Sequence, residues 1–240
     1  MNVKIITKAV EPLSLDKNHL EGSYAIVEEE DKIIEKYRVI FEENGYNVKL
    51  LNIIDPEKSL FKYNPLRYLT NEKDIVEFSD KIVDINFPYV ESETKMAAKT
   101  LLSSSTCYLM EYSEEKKQTL KNISHLVWNA LPDETENIKS ALDIMFDVVK
   151  SRDPDSAALE MYQLFGLADI STRRKALFMA AGCLRYFMIP VYNEFTQQDN
   201  LNLREFRSEK QALLIKSSEN SSICNFISTL ICYQIQAISC

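Results

Sequence analysis

Strand-forming segments stand at the two ends of this chain, and the long stretch between them reads as helix. That distribution leaves few folds open. Near the start, Asn2 to Ala9 alternates weakly, Tyr24 to Val27 is a short apolar run, and Tyr46 to Ile54 is rich in Val, Leu and Ile. Strand character returns at Gln211 to Lys216, QALLIK. A strand needs partners for its backbone N–H and C=O groups, and the simplest topology has the late strand join the early ones. The helical middle is then an insertion between strands of one sheet. Within the early segment, Ile33, Ile34, Tyr37, Ile40 and Phe41 recur at helical spacing. Gly45 follows, where a left-handed residue closes a helix. This strand–helix–strand order predicts a parallel crossover unit. Glu11 to Gly22 reads as loop, and Pro56 and Pro65 punctuate the way out of the layer.

The middle is read from its apolar faces. Ala98, Leu101, Leu102, Ser105, Tyr108 and Leu109 form one. Leu120, Ile123, Leu126, Val127 and Ala130 form a second, ended by Pro132, and Ile138, Leu142, Met145, Phe146 and Val149 form a third. In RDPDS, residues 152–156, Asp153 or Ser156 can cap the helix that follows. Ser171 or Thr172 can cap the next, whose face is Ala176, Leu177, Ala180, Leu184 and Phe187. After the polar junction SSENSS, Ile223, Phe226, Ile227, Leu230 and Ile231 stripe a final helix.

Composition narrows the function classes. A length of 240 residues with 45% apolar content supplies core for one large domain or two small ones. Four glycines argue against a glycine-rich phosphate cradle. A formal net charge of −8 lowers the expectation of non-specific nucleic-acid binding, which needs clustered Lys and Arg, without excluding one local basic face. Cysteines at 107, 183, 224, 232 and 240 include no C-x-x-C, so neither a disulfide framework nor a zinc site is expected, and a reducing cytoplasmic setting fits. MNVKIITKAV has too short an apolar run for a signal peptide. Ile223 to Ile238 is interrupted by polar residues and falls short of the ~20 apolar residues of a membrane span. No membrane segment is expected.

Chemical motifs are sparse. Gly22, Gly45, Gly166 and Gly182 are too scattered for G-x-x-x-x-G-K-[ST] or G-x-G-x-x-G, and neither G-x-S-x-G nor H-E-x-x-H occurs. Of the two histidines, His19 and His125, the second sits on an amphipathic helix near Trp128 and reads as a surface residue. No catalytic residue, metal or cofactor is therefore expected.

Two clusters carry charge. In SYAIVEEEDKIIEKY, residues 23–37, a strand turns into a helix, and helix starts of this kind hold phosphate in many α/β proteins. This turn carries Glu28, Glu29, Glu30 and Asp31. Their oxygens could hold Mg²⁺ or Ca²⁺. The plainer reading is that they meet the positive end of the helix dipole. Either way they repel a phosphate. The basic cluster is Arg173, Arg174 and Lys175 at a helix start, with Arg185 further on. It can meet DNA phosphates or an acidic partner, or it is an ordinary solvated turn. Positive charge at a helix start is mildly unfavourable, which makes the cluster unexpected.

Several stretches, in order, resemble the type IV secretion coupling proteins, the TraG/TraD family of conjugative DNA-transfer ATPases, and the Gram-positive members most closely. EKYRVIFEENGYNVKLLNIIDPEKSLFKYNPLRYL, residues 35–69, has the family's helix, its strand and its Tyr-Asn-Pro segment in order. EKDIVEFSDKIV at 72–83 continues it, and AAKTLLSSSTCYLMEYSEEKKQTLKNISHLV at 97–127 is similar to the first long helices. RDPDSAALEMYQLF at 152–165 and EKQALLIKSSENSSICNFISTLICYQI at 209–235 complete the set. The resemblance runs over about residues 23–239.

It implies an α/β fold in which a partial RecA-like parallel sheet flanks a large all-helical inserted domain. The layer would take residues 1–65 and 206–240, and the insertion residues 66–205. It implies recognition of relaxosome protein or DNA alongside the remainder of a type IV secretion machinery. The full-length family is a hexameric ATPase anchored at the inner face of the cell membrane. The family's membrane helices and phosphate loop would precede residue 23, and its Mg²⁺-associated strand would follow residue 240. Where the family has an Asp-Pro-Lys-Gly-Glu turn, this chain has Glu28, Glu29, Glu30, Asp31 and Lys32. The expectation is a coupling-protein-like module, fragment or stand-alone relic, without ATPase activity of its own. Arg173, Arg174, Lys175 and Arg185 are its candidate binding residues. The rival is a stand-alone helical adaptor that binds protein and never touches DNA. All four cations on one exposed face would favour DNA. A closed pocket of convergent polar groups at the strand ends would favour a small-molecule enzyme instead.

Overall fold

The structure is a computed structural model that describes residues 3–7, 20–131, 139–208 and 210–239. Most of the expected loop at 11–22, His19, the stop at Pro132, Ile138 and Cys240 lie outside the described residues. The chain forms two compact units, one of Met1–Tyr68 with Gln198–Cys240 and one of Leu69–Gln197.

The first unit is built on four parallel strands. They are β1 (Val3–Thr7), β2 (Ser23–Glu28), β3 (Asn47–Asn52) and β4 (Gln211–Lys216), in the spatial order β1-β2-β4-β3. The late strand joins the early ones and stands between them, with Leu213 opposite Ala25 on one side and Lys49 on the other. β2 and β3, linked by α1 (Asp31–Glu43), are therefore not neighbours. Ala212 to Ile215 is buried throughout, and a continuous apolar run belongs inside a parallel sheet. The edge strands β1 and β3 carry the exposed positions.

α1 lays Ile34, Tyr37 and Phe41 over Tyr24, Ile26, Ala212 and Leu214. Ring centres of Tyr24, Phe41 and Tyr46 lie 5.0, 5.1 and 5.8 Å apart, so aromatic packing knits this face. Ile33, from the expected apolar face, is only partly buried at the margin. Gly45 takes φ 74° just past α1, as its position required. The final helix, α9 (Ser222–Ser239), buries Ile223, Phe226, Ile227, Leu230 and Ile231. It packs against β1 and the short turns Pro65–Tyr68 and Leu203–Arg207.

Those turns explain the Tyr-Asn-Pro segment. The Tyr63 hydroxyl donates to Gln234 of α9, whose amide donates to the Pro65 carbonyl at 2.9 Å. The Asn64 side chain accepts from Leu66 N at 3.0 Å. Tyr68 stacks on Tyr63 and donates to Asp199 at 2.7 Å. In this structure, these residues hold the α/β unit together.

The second unit is helical: α2 (Glu72–Asn86), α3 (Glu93–Tyr112), α4 (Leu120–Trp128), α5 (Ala141–Arg152), α6 (Ala157–Gly166), α7 (Ile170–Leu184) and α8 (Pro190–Gln197). α3 runs through its middle, with α2, α4, α6 and α7 around it. Ser103, Ser104, Thr106 and Cys107 are therefore buried along with the expected face, and only Tyr108 of that face is partly open. Lys95 of α3 is buried as well, held by Asp84 of α2 at 2.8 Å.

Two expected caps resolve differently. Ser156 caps α6 through Leu159 N, while Asp153 closes α5. α7 is capped by neither Ser171 nor Thr172. The Asp169 carboxylate takes both the Thr172 N–H at 3.0 Å and its hydroxyl at 2.7 Å, which starts the helix at Ile170.

Candidate functional site

The acidic turn stands at the carboxyl end of β2. Glu28 is buried, and its Oε1 accepts the N–H of Glu29 at 2.7 Å and of Glu30 at 3.2 Å. At a phosphate-binding junction such N–H groups face the ligand. Here a side-chain carboxylate takes them. Asp31 pairs with Lys216 at 2.5 Å, and Glu29 and Glu30 are exposed. Beside the turn lies a cleft of about 200 Å³ lined by residues that include Thr7, Glu28, Glu29, Ser217, Glu219 and Thr229. Among the described residues its lining has hydroxyls, an amide and carboxylates but no Lys or Arg, the wrong sign for a phosphate. Among the described residues, no three His, Cys, Asp or Glu are placed to hold a metal.

The four candidate cations do not share one face. Arg173 turns inward, with its side chain 16% exposed. It donates to Asp143 at 3.4 Å and lies 5.1 Å from the centre of the Phe165 ring. Asp143 also accepts from Ser140 N at 2.8 Å, the Ser140 hydroxyl at 2.7 Å and the Tyr162 hydroxyl at 2.8 Å. Burial works against its ionisation. The bonds from Ser140 and Tyr162, with Arg173 beside them, nevertheless hold its pKa below the usual carboxylate range. Burial, then the Asp143 carboxylate, pushes the Tyr162 phenol up. These groups border a cleft of about 440 Å³ that Lys139 and Lys150 also line.

Of the other three cations, Arg174 and Lys175 lie on the outer side of α7 and Arg185 stands just past its end. Lys175 and Arg185 are exposed and Arg174 is half-buried. Arg185 stands eleven residues beyond Arg174, about 16 Å along the axis. It donates to the Gly182 carbonyl at 2.7 Å and the Tyr186 hydroxyl at 2.8 Å. Because α7 begins at Ile170, Arg173 to Lys175 fall past its first turn, where the dipole penalty fades. His125 stands exposed on α4.

Sequence reasoning missed Asp143 as the partner of Arg173. The Ser140–Asp143 capping box was visible at its three-residue spacing, but its reach to α7 is tertiary. It also missed Phe178, an aromatic residue out of step with the buried face Ala176, Leu177, Ala180 and Leu184.

A parallel sheet whose last strand returns to its centre after a long helical excursion defines an α/β protein with an inserted helical unit. Residues 29–239 match the family described as type IV secretory system conjugative DNA transfer, and the chain belongs to that family. The match spans both units, so the chain has its role in conjugative DNA transfer by type IV secretion. Comparison with curated proteins gives no match.

Proposed function

We propose that the chain is a coupling-protein-like module of conjugative DNA transfer whose helical unit recognises relaxosome protein or DNA, and that it has no ATPase activity of its own. Family membership over residues 29–239 carries the first half of this reading. The second is supported by the scattered glycines, which form no phosphate loop in this sequence, and by Glu28, whose carboxylate takes two amides of a strand–helix turn that could otherwise face an anion. The module works with the remainder of the secretion machinery at the cytoplasmic face of the cell membrane. Among the described residues, no helix is long and apolar enough to cross a membrane. Arg174, Lys175 and Arg185 form the recognition face, and Arg173 supports it from within.

Two measurements test this. Calorimetric titration with Mg-ATP is expected to show no saturable heat, and a micromolar dissociation constant would end the ATP-independent reading. Fluorescence anisotropy with single- and double-stranded DNA across a salt series tests DNA contact. Changing Arg174, Lys175 and Arg185 together to Ala is expected to remove up to roughly three units of the salt slope. The adaptor reading has its own support, since Arg173 is committed to Asp143 and the helical unit has twenty Asp and Glu against fourteen Lys and Arg. Absence of DNA binding at low salt would favour it.

A further inference from the structure

The outer side of α7 carries more than charge. Phe178 is 53% exposed there, and its ring meets Trp128 of α4 edge-on at 6.0 Å, itself 45% exposed. Helical spacing puts Phe178 four residues after Arg174, three after Lys175 and seven before Arg185, so all four lie along one stripe. Half-exposed Trp and Phe framed by Arg match the composition of the residues that dominate protein–protein binding.

Gly182 lies on the same stripe, between Phe178 and Arg185. A glycine within a helix is destabilising relative to alanine, so it needs a reason. Its φ is not positive, so no left-handed turn requires it. A Cβ built on it would meet nothing within 4 Å among the described residues, so their packing does not require it either. What remains is a bare patch of backbone beside an exposed aromatic pair, where another helix can approach closely. Arg185 is held beside this patch by two neutral partners, the Gly182 carbonyl and the Tyr186 phenol, and stacks on the Tyr186 ring at 4.3 Å. Among the described residues its charge is positioned without a carboxylate partner.

We infer that this stripe docks an acidic amphipathic helix of a partner protein. The partner lays its apolar side on Trp128 and Phe178, crosses at Gly182, and sets carboxylates about three turns apart on the Arg174–Lys175 pair and on Arg185. The inference rests on the proposed recognition role of the helical unit and names its partner. A helix fits better than DNA because a polyanion would meet the excess of carboxylates elsewhere on the unit, whereas a helix three turns long need meet only the stripe.

The test uses the full chain and two labelled peptides of 16 residues. One has a leucine face with glutamates eleven residues apart at its ends, and the other carries lysines in their place. The acidic peptide is expected to bind at least about tenfold tighter than the basic one, and Arg185→Glu to reverse that preference. Phe178→Ala should weaken binding about tenfold or more. Gly182→Leu should abolish it while the Tm equals or exceeds that of the wild type, which separates a blocked surface from a misfolded one. Equal binding of both peptides, no binding of the acidic one, or indifference to Gly182→Leu overturns the inference. If single-stranded DNA binds and is the ligand lost in Gly182→Leu while the acidic peptide does not bind, the docking inference fails and the proposed function stands. If neither DNA nor peptide binds, both fail. Self-association that Gly182→Leu removes, seen by sedimentation, makes a second copy the occupant and also overturns the inference.

Discussion

Glu28 does for its turn what a bound anion does at other helix starts. It is buried and accepts two backbone N–H groups, so its loss leaves two donors without their partner. Hydrogen bonds to a charged acceptor contribute more than neutral ones, so Glu28→Ala is expected to cost about 1–3 kcal/mol by urea unfolding, and Glu28→Gln less. A neutral Glu28→Ala would mean that the turn holds itself without the carboxylate. Asp143 plays a similar part in the helical unit, where it completes the capping box begun by Ser140 at the start of α5 and anchors Tyr162 and Arg173. Its folded-state pKa lies below the ordinary 3.8. Its contribution is thus complete above that value and is lost as pH falls through the lowered folded one. Asp143→Asn is expected to cost about 1–2 kcal/mol at pH 7. The gap to the wild type should shrink as pH falls below the ordinary 3.8 and through the lowered folded-state pKa. A gap that widens on acidification would contradict the assignment of charge at this site.

Elements were legible where apolar residues alone decide burial. QALLIK is β4 to the residue, and the stripe from Ile223 to Ile231 is the buried side of α9, because both segments are apolar enough to need no context. α3 was half legible. Its apolar face is real, but four helices surround it, and Ser and Thr go inside with the leucines. The spacing put Ser105 on that face but left Ser103, Ser104 and Thr106 off it, because hydroxyl side chains read as polar. The same limit hid the inward turn of Arg173, since its partner lies thirty residues earlier on another helix. At α7 the expected caps were the hydroxyls of Ser171 and Thr172, and the carboxylate of Asp169, which takes two bonds, prevails over them. The crowding of α3 can be tested at Ser105, fully buried with a hydroxyl that finds no partner among the described residues. Ser105→Ala removes that unsatisfied group and improves helix propensity, so it should stabilise by about 0.5–1 kcal/mol. Ser105→Leu should cost about 1–3 kcal/mol through overpacking. If both variants match the wild type, α3 is not close-packed at this layer.

At the scale of the whole molecule, the α/β unit must hold together across a gap of sequence from Tyr68 to Gln198. It does so with a ladder of bonds between the segments on either side. Lys62 N donates to the Asn200 side chain at 2.6 Å, and Asn200 N returns a bond to the Lys62 carbonyl at 3.2 Å. Asn64 N and the Tyr68 hydroxyl donate to the two oxygens of Asp199 at 3.1 and 2.7 Å. Leu203 N donates to that same hydroxyl at 3.1 Å, and Arg204 reaches the Arg67 carbonyl at 2.7 Å. The chain therefore leaves and re-enters the unit at one place, and β4 is delivered to the centre of the sheet by contacts that belong to this unit alone. Replacing residues 69–197 by a short Gly-Ser linker is expected to leave a folded sheet, because a shorter closed loop costs slightly less entropy and no bond of the ladder is removed. Dispersed amide resonances and a cooperative urea transition would be its signature. Tyr68→Phe strips the ladder of a hydroxyl that both donates and accepts, and should cost about 1–3 kcal/mol. That cost should be the same in the full and the excised chain. An excised chain that is unfolded, or a cost that vanishes on excision, would mean that the helical unit and not the ladder brings β4 back between β2 and β3.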